Sequence, residues 1–327
     1  MLAYPLTLLL RCWRMFIAVA KVMLPVMVFV QIGQEAGLID AVGRLIAPAM
    51  ALLHLPPEAG IVWAATIFTG IYGGIASLSG LSSSMDLNAA QVSALCAMML
   101  FAHSIPVEQA IVRRAGASFN VTTALRIITA IFYGAAVSWF CHLTGALAEP
   151  MSFDWLRGSS IIATEGGSGW IAWAQATAFS LVLTFAVIVV LVLLLDILDK
   201  LGITRRITNA MLPLLKLSGL DARVAPVTTV GVLLGLTYGG ALIIEEAKKQ
   251  NFSRRTRFLA LSWMSLSHGL IEDTLLMLAL GADIWVVLVG RLLITLVIVA
   301  LLARLTGRGH KPDSNAIKRP EARRSAS

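Results

Sequence analysis

The sequence predicts an all-α integral membrane protein made of two inverted repeats, with about six transmembrane helices and two re-entrant segments. Three observations carry that expectation. Composition is the first: 58% of the residues are hydrophobic and 13% charged, at a mean hydropathy of +0.83, where a soluble domain carries about 25% charged residues. The second is a series of apolar runs of about 20 residues, the length that a hydrocarbon core about 30 Å thick demands. The third is an internal duplication in a single register. The net charge of +8 is not a nucleic-acid signal. From Arg304 onward seven Lys/Arg face two Asp/Glu, which places +5 of it in the last 24 residues, so the basic balance belongs to a tail. Cys12, Cys96 and Cys141 are isolated and without CxxC spacing, so neither a disulfide framework nor a cysteine metal site follows.

Taken in order, full spans are expected at 13–33, 89–112, 119–146, 174–198, 258–280 and 285–303. The N-terminus is a retained first span and not a cleavable signal. Its first ten residues carry no charge, while Arg11, Arg14 and Lys21 fall inside the apolar region and snorkel toward the cytoplasm. Residues 38–53 and 201–217 have helical periodicity broken by charges and a proline, which suits short helices lying at the interface. Trp155, Trp170 and Trp173 stand near span ends as interfacial anchors.

The duplication is read from rare residues. Gly37 and Pro48 recur at Gly202 and Pro213, Tyr72-Gly73-Gly74 at Tyr238-Gly239-Gly240, His103 at His268 and Arg126 at Arg291, always 165 or 166 positions on. The expected organisation is a first repeat over 1–150, a periplasmic linker over 151–170, a second repeat over 171–303 and a basic cytoplasmic tail over 304–327. Two apolar segments, 58–80 and 226–245, are long enough to cross but carry Gly-Gly near their far ends. If both cross, the protein has eight helices, and Arg44, Arg113, Arg114, Lys200, Arg205, Arg206, Lys216 and Arg223 all lie outside. If both dip in and return, only Arg44 and Arg157 lie outside, and the positive-inside rule favours this arrangement. Three crossings per half then invert one repeat against the other, with both termini in the cytoplasm of a bacterial inner membrane.

The candidate site follows from ionisable residues inside apolar spans. Ser267-His268-Gly269-Leu270-Ile271-Glu272-Asp273 puts His268 and Glu272 four apart, on one face of a helix. In the first copy a proline, Pro106, stands between His103 and Glu108 and breaks the helix there, freeing carbonyls that need a protein-lined or wet cavity. A charged residue in a span costs at least about 2.5–3.5 kcal/mol, so such groups point to a substrate, proton or cation site; the blander reading is a polar contact that holds helices together. Arg126 and Arg291 lie about six residues inside their spans and have two readings: neutralising Glu108 and Glu272, or receiving an anionic substrate. Glycines beside Tyr72 and Tyr238 suit either close helix packing or a tip whose N–H groups face a ligand. Glu245 and Glu246, before a basic run, read as an interfacial salt-bridge cluster. His-Glu-x-x-His is absent, so protease-type zinc chemistry is not expected. Should a metal bind, His268 and Glu272 are the expected ligands; no cofactor is expected.

The doubled segments TGIYGGIASLSGL with FAHSIPVEQA, and LGLTYGGALIIEEAKK with LSHGLIEDTLL, resemble the nucleoside recognition or Gate-domain membrane proteins. That superfamily takes in the membrane part of the FeoB ferrous-iron transporter, the spore maturation proteins and, more remotely, the concentrative nucleoside transporters. The resemblance covers about 15–303, one Gate unit per half, and implies an inner-membrane protein with re-entrant elements and a transport-like core. This chain lacks the GxxxxGK[ST] loop and the Gln-Thr-Glu-Ala-Pro motif, so neither GTP-coupled iron transport nor nucleoside selection carries over. The expected function is therefore a secondary transporter or permease of a small solute or ion, not an enzyme. The alternative is a non-transporting scaffold or accessory subunit. Expected partners are the lipid bilayer, the solute or ion, and a second copy in a homo-oligomer, with no nucleic acid. The expected binding residues are His103, Glu108, His268, Glu272, Asp273, Arg126, Arg291, Tyr72, Gly73, Gly74, Tyr238, Gly239 and Gly240.

Overall fold

The computed structural model describes residues 3–157, 170–221, 223–236, 243, 244, 246 and 252–307. These are helical almost throughout, as an all-α membrane protein should be. Where no water can satisfy backbone groups, helices satisfy them internally. Two long helices, α1 (Ala3–Glu35) and α9 (Trp170–Lys200), pack along each other. Each is followed by a shorter helix of the expected extent, α2 (Leu38–Ala51) and α10 (Ile203–Leu217). The joints match: Gly37 (φ 66°, ψ 11°) and Gly202 (φ 69°, ψ 14°) are both left-handed, and no described atom would touch a Cβ at either. Glycine stands there for its conformational freedom alone.

Next in the first copy come α3 (Pro57–Thr69) and α4 (Ile71–Leu81), separated by Gly70 (φ 92°, ψ 179°). Gly74 lies directly against Thr66. These residues stand four positions either side of Gly70, so the chain folds back there into a tight helical hairpin. The second copy has α11 (Ala225–Leu234) and a matching break at Gly235 (φ 100°, ψ 163°), 165 positions on. Of the rest of that expected segment, 237–242 and 245, and with them Tyr238, Gly239 and Gly240, lie outside the described residues.

The centre consists of α5 (Ala89–Phe101), α6 (Ile105–Arg114) and α7 (Phe119–Thr144) from the first copy, and α12 (Arg254–Ser267), α13 (Glu272–Ala279) and α14 (Arg291–Gly307) from the second. A π-helical turn, Trp285–Gly290, leads into α14; Tyr133 of α7 donates to its Val286 carbonyl at 2.8 Å, joining the copies. α5 is buried on nearly all sides and α12 is buried from Leu259 to Ser267, as all-round apolar helices must be. α5 packs on α7 and α12 on α14. Their starts are capped alike: Asn88 accepts from the Gln91 N–H, and Ser253, 165 on, from the Thr256 N–H. A two-stranded ladder, β1 (Leu87–Asn88) with β2 (Pro150–Met151), ties the end of the first copy to the start of α5. The one-turn α8 (Asp154–Arg157) leads on.

Among the described residues, four stretches are long and apolar enough to cross: Ala89–Arg114, Phe119–Thr144, Trp173–Leu194 and Trp285–Gly307. The expected span over 258–280 is corrected. It is two helices, interrupted at 268–271, because His268 is extended (φ −67°, ψ 165°) and Gly269 left-handed (φ 62°). The first-copy break also lies earlier than Pro106 suggested, at 102–104, where Ser104 is left-handed (φ 47°). Pro106 instead starts α6, where a missing N–H costs nothing.

Candidate functional site

The two breaks build the site in the same way. The Glu108 N–H donates to the Ser104 carbonyl and the Asp273 N–H to the Gly269 carbonyl, both at 3.0 Å. The turn that presents Glu108 at the start of α6 therefore recurs, 165 positions on, presenting Asp273 at the start of α13. His103 and His268 close the preceding helices. His103 Nδ1 lies 3.0 Å from the Met99 carbonyl and His268 Nδ1 lies 2.9 Å from the Met264 carbonyl.

The copies meet at the other ring nitrogens. His103 Nε2 and His268 Nε2 are 2.8 Å apart, and Glu108 Oε1 lies 3.3 Å from the first and 3.1 Å from the second. Asp273 Oδ2 is 3.9 Å from His103 Nε2. Both histidines are buried, whereas the side chains of Glu108 and Asp273 keep 13% and 19% exposure, so the cluster opens on its carboxylate side. A carbonyl oxygen can only accept, so each Nδ1 carries a hydrogen, and in the neutral form of the ring the Nε2 lone pair faces the centre.

Arg126 and Arg291 are fully buried, and their first task is helix termination. Arg126 donates through Nε to the Phe101 carbonyl (2.7 Å) and through Nη2 to the His103 carbonyl (2.9 Å). Arg291 does the same with Leu266 (3.0 Å) and His268 (2.9 Å), each partner 165 positions on. A cation at each broken C-terminus thus satisfies carbonyls that the helix leaves over, and meets the negative end of its dipole. Neither sequence reading contained this role, although the shared register of Arg and His in both copies was its visible trace. Beyond that role the copies differ. Arg126 Nη1 pairs with Glu108 Oε2 at 2.5 Å, whereas Arg291 Nη1 is buried without a hydrogen-bond partner among the described residues.

The expected pairing of His268 and Arg291 with Glu272 does not form: His268 meets Glu108 of the first copy, and it is Asp273, not Glu272, that faces the cluster, against His103. A four-residue spacing shares a face only within a continuous helix, and the chain breaks between 268 and 272. The charged group acting on Glu272 is Arg11 of α1. The three side chains brought together as metal ligands are likewise His103, His268 and Asp273, with ligand atoms all within 4.8 Å of one another.

Tyr72, Gly73 and Gly74 lie in the first turn of α4, apart from this cluster. The Gly74 N–H is already used by the Gly70 carbonyl (3.1 Å), and the residue serves close packing on Thr66 and Met99. Tyr72 walls a small, mostly apolar cleft between α1, α4, α8, α9 and α13, within electrostatic reach of Glu272 and Asp273.

Residues 16–118 match the family described as Gate, nucleoside recognition. The chain is also 27% identical over 295 residues to the "Uncharacterized membrane protein YvoD" of Bacillus subtilis (strain 168), covering 90% of this chain and 92% of that one. No solved structure matches. The match covers the α3–α4 hairpin, the first break, His103 and Glu108. The likeness read from the doubled motifs is thereby borne out.

Proposed function

We propose that this multi-pass membrane protein, whose first repeat is a Gate domain, is a secondary transporter or permease of a small solute or ion. Its site would lie at the interface of two inverted repeats, near the midplane of a bacterial inner membrane. The observation that carries this reading is the convergence of ionisable groups from both copies on one buried point, His103 Nε2 against His268 Nε2 with Glu108 between them and Asp273 beside them. In a scaffold, polar groups inside spans would be capped one by one. Here they are shared across the repeat interface, and two carboxylates keep a small exposed surface. Intramembrane ionisable clusters of this kind mark solute or proton pathways. Broken helices meeting at a repeat interface are the usual setting for alternating access. The unequal pairing of the two arginines supports the same reading, since a pseudo-symmetric site held asymmetrically has a mirror-related state available to it.

The test is uptake into proteoliposomes by the purified protein, screened over divalent cations, nucleosides and dicarboxylates. His268→Ala and Glu108→Gln should each abolish uptake of the responding solute while the variant remains monodisperse in detergent. Unchanged uptake per folded molecule would overturn the assignment of the site. Absence of flux for every class by the wild-type protein would favour the scaffold. Inversion and sidedness are tested by single cysteines. Labels near Ser83 and Gly158 should react from the periplasm and one near Leu217 should not, with both termini cytoplasmic.

A further inference from the structure

We infer that the paired histidines, with Asp273 and Glu108, form a binding site for a divalent first-row transition-metal cation. This names the solute class for the carrier proposed above, and in that respect rests on that reading; the binding itself does not.

The argument begins with lone pairs. Because both Nδ1 atoms face carbonyl oxygens, His103 Nε2, His268 Nε2 and an ionised Glu108 Oε1 are all acceptors, held within 2.8–3.3 Å of one another. A single proton on one nitrogen forms one good bond and leaves the third acceptor poorly served. A multivalent cation takes both ring nitrogens together with a carboxylate, Glu108 Oε1 beside them or Asp273, whose ligand oxygen lies within 4.8 Å of both ring nitrogens. Two imidazoles with one or two carboxylates and no sulfur select manganese, iron(II), cobalt, nickel or zinc over copper(I), and the imidazoles select against magnesium or calcium. Buried Cys96 and Cys141 are absent from the cluster.

The surroundings are built as those of a ligand site. Each histidine donates its remote N–H to a main-chain carbonyl, which sets tautomer and ring orientation. Glu108 is held through its other oxygen by Arg126, leaving Oε1 directed at the rings. Arg126 and Arg291 also donate to the carbonyl ends of α5 and α12; Arg126 pairs with Glu108 as well, so Asp273, whose ion-pair contact is with His103, is the carboxylate left to offset a dication. Partial exposure of those carboxylates supplies a way in.

The experiment uses the full-length protein, stripped with chelator in detergent and titrated with Co²⁺ and Zn²⁺. One ion should bind per chain, and zinc X-ray absorption should show an all N/O shell at about 2.0–2.1 Å with two imidazoles. This readout needs no variant and so does not depend on any variant folding. His103→Ala and His268→Ala should each weaken binding at least tenfold, and Glu272→Gln should leave it unchanged. No stoichiometric binding, a shell lacking histidine, or full affinity in both histidine variants would overturn the proposal. Metal binding without flux would leave this site standing and remove the carrier; flux of another solute without metal binding would do the reverse.

Discussion

The two copies of the site cap their broken helices alike and differ in the contacts made beyond the caps. In the first, Arg126 caps the carbonyls of Phe101 and His103 and also grips Glu108. In the second, Arg291 caps Leu266 and His268 but leaves Nη1 unpaired among the described residues, while Asp273 turns toward His103. The local difference is one methylene: Glu108 is long enough to touch both rings and the guanidinium, whereas Asp273 is shorter by one carbon. Duplication therefore supplies two equivalent frames, and a single side-chain length decides which carboxylate takes the centre. Only the shared contacts, the caps, are a structural requirement of a broken helix; the unshared contacts are free to serve function.

The largest expected effect separates the two arginines. Arg126→Met strands a buried carboxylate as well as two carbonyls and should cost about 3–5 kcal/mol. Arg291→Met strands carbonyls only and should cost about 1.5–3 kcal/mol. Thermal or denaturant unfolding in detergent reads both, and equal losses would show that the Glu108 pair contributes nothing. Adding Glu108→Gln to Arg126→Met should recover part of the stability, since no charge is then left buried alone, yet uptake should stay abolished.

Exchanging the two lengths, Glu108→Asp with Asp273→Glu, should hand the central position to the second copy. If the asymmetry reports the side of access, a cysteine reporter beside α6 should change its labelling ratio from the two sides by about tenfold, or about 1.4 kcal/mol. An unchanged ratio would mean that the asymmetry lies in the backbone, where Pro106 has no counterpart.

The hinges give a smaller contrast. Gly235→Ala should cost about 1–3 kcal/mol for backbone strain, since no described atom would touch its Cβ. Gly70→Ala should cost more, because a Cβ there also meets Ser104 Oγ at 2.6 Å; the order is checked by the same unfolding measurement. Smallest of all, Asn88→Ala and Ser253→Ala should each cost about 1 kcal/mol and by similar amounts, since both remove the same cap at matched positions. A large gap between them would show that the copies differ in more than the central contact.

Much of this was legible in the chain. Gly37 and Gly202, Pro48 and Pro213, His103 and His268, and Arg126 and Arg291 recur in one register, and each pair occupies matched places in the fold. The same register carries Glu108 to Asp273. Pairing His268 with Glu272 followed helical spacing instead, and failed because Gly269 takes a left-handed conformation that ends the helix first. Pro106 marked the first break but not its position, since proline is as well suited to starting a helix as to breaking one.

The sequence by itself determined the membrane class, the duplication and which rare residues recur at matched places. Apolar length, repeat register and charge inside a span are properties of the linear chain. Only the tertiary structure decided that the two histidines share one point and that the arginines close helix ends. It also decided that Asp273, not Glu272, looks into the site. Those facts depend on where two breaks, 165 residues apart in the chain, come to rest against each other. Contact across that separation is set by the packing of α5 and α12 and by no local pattern.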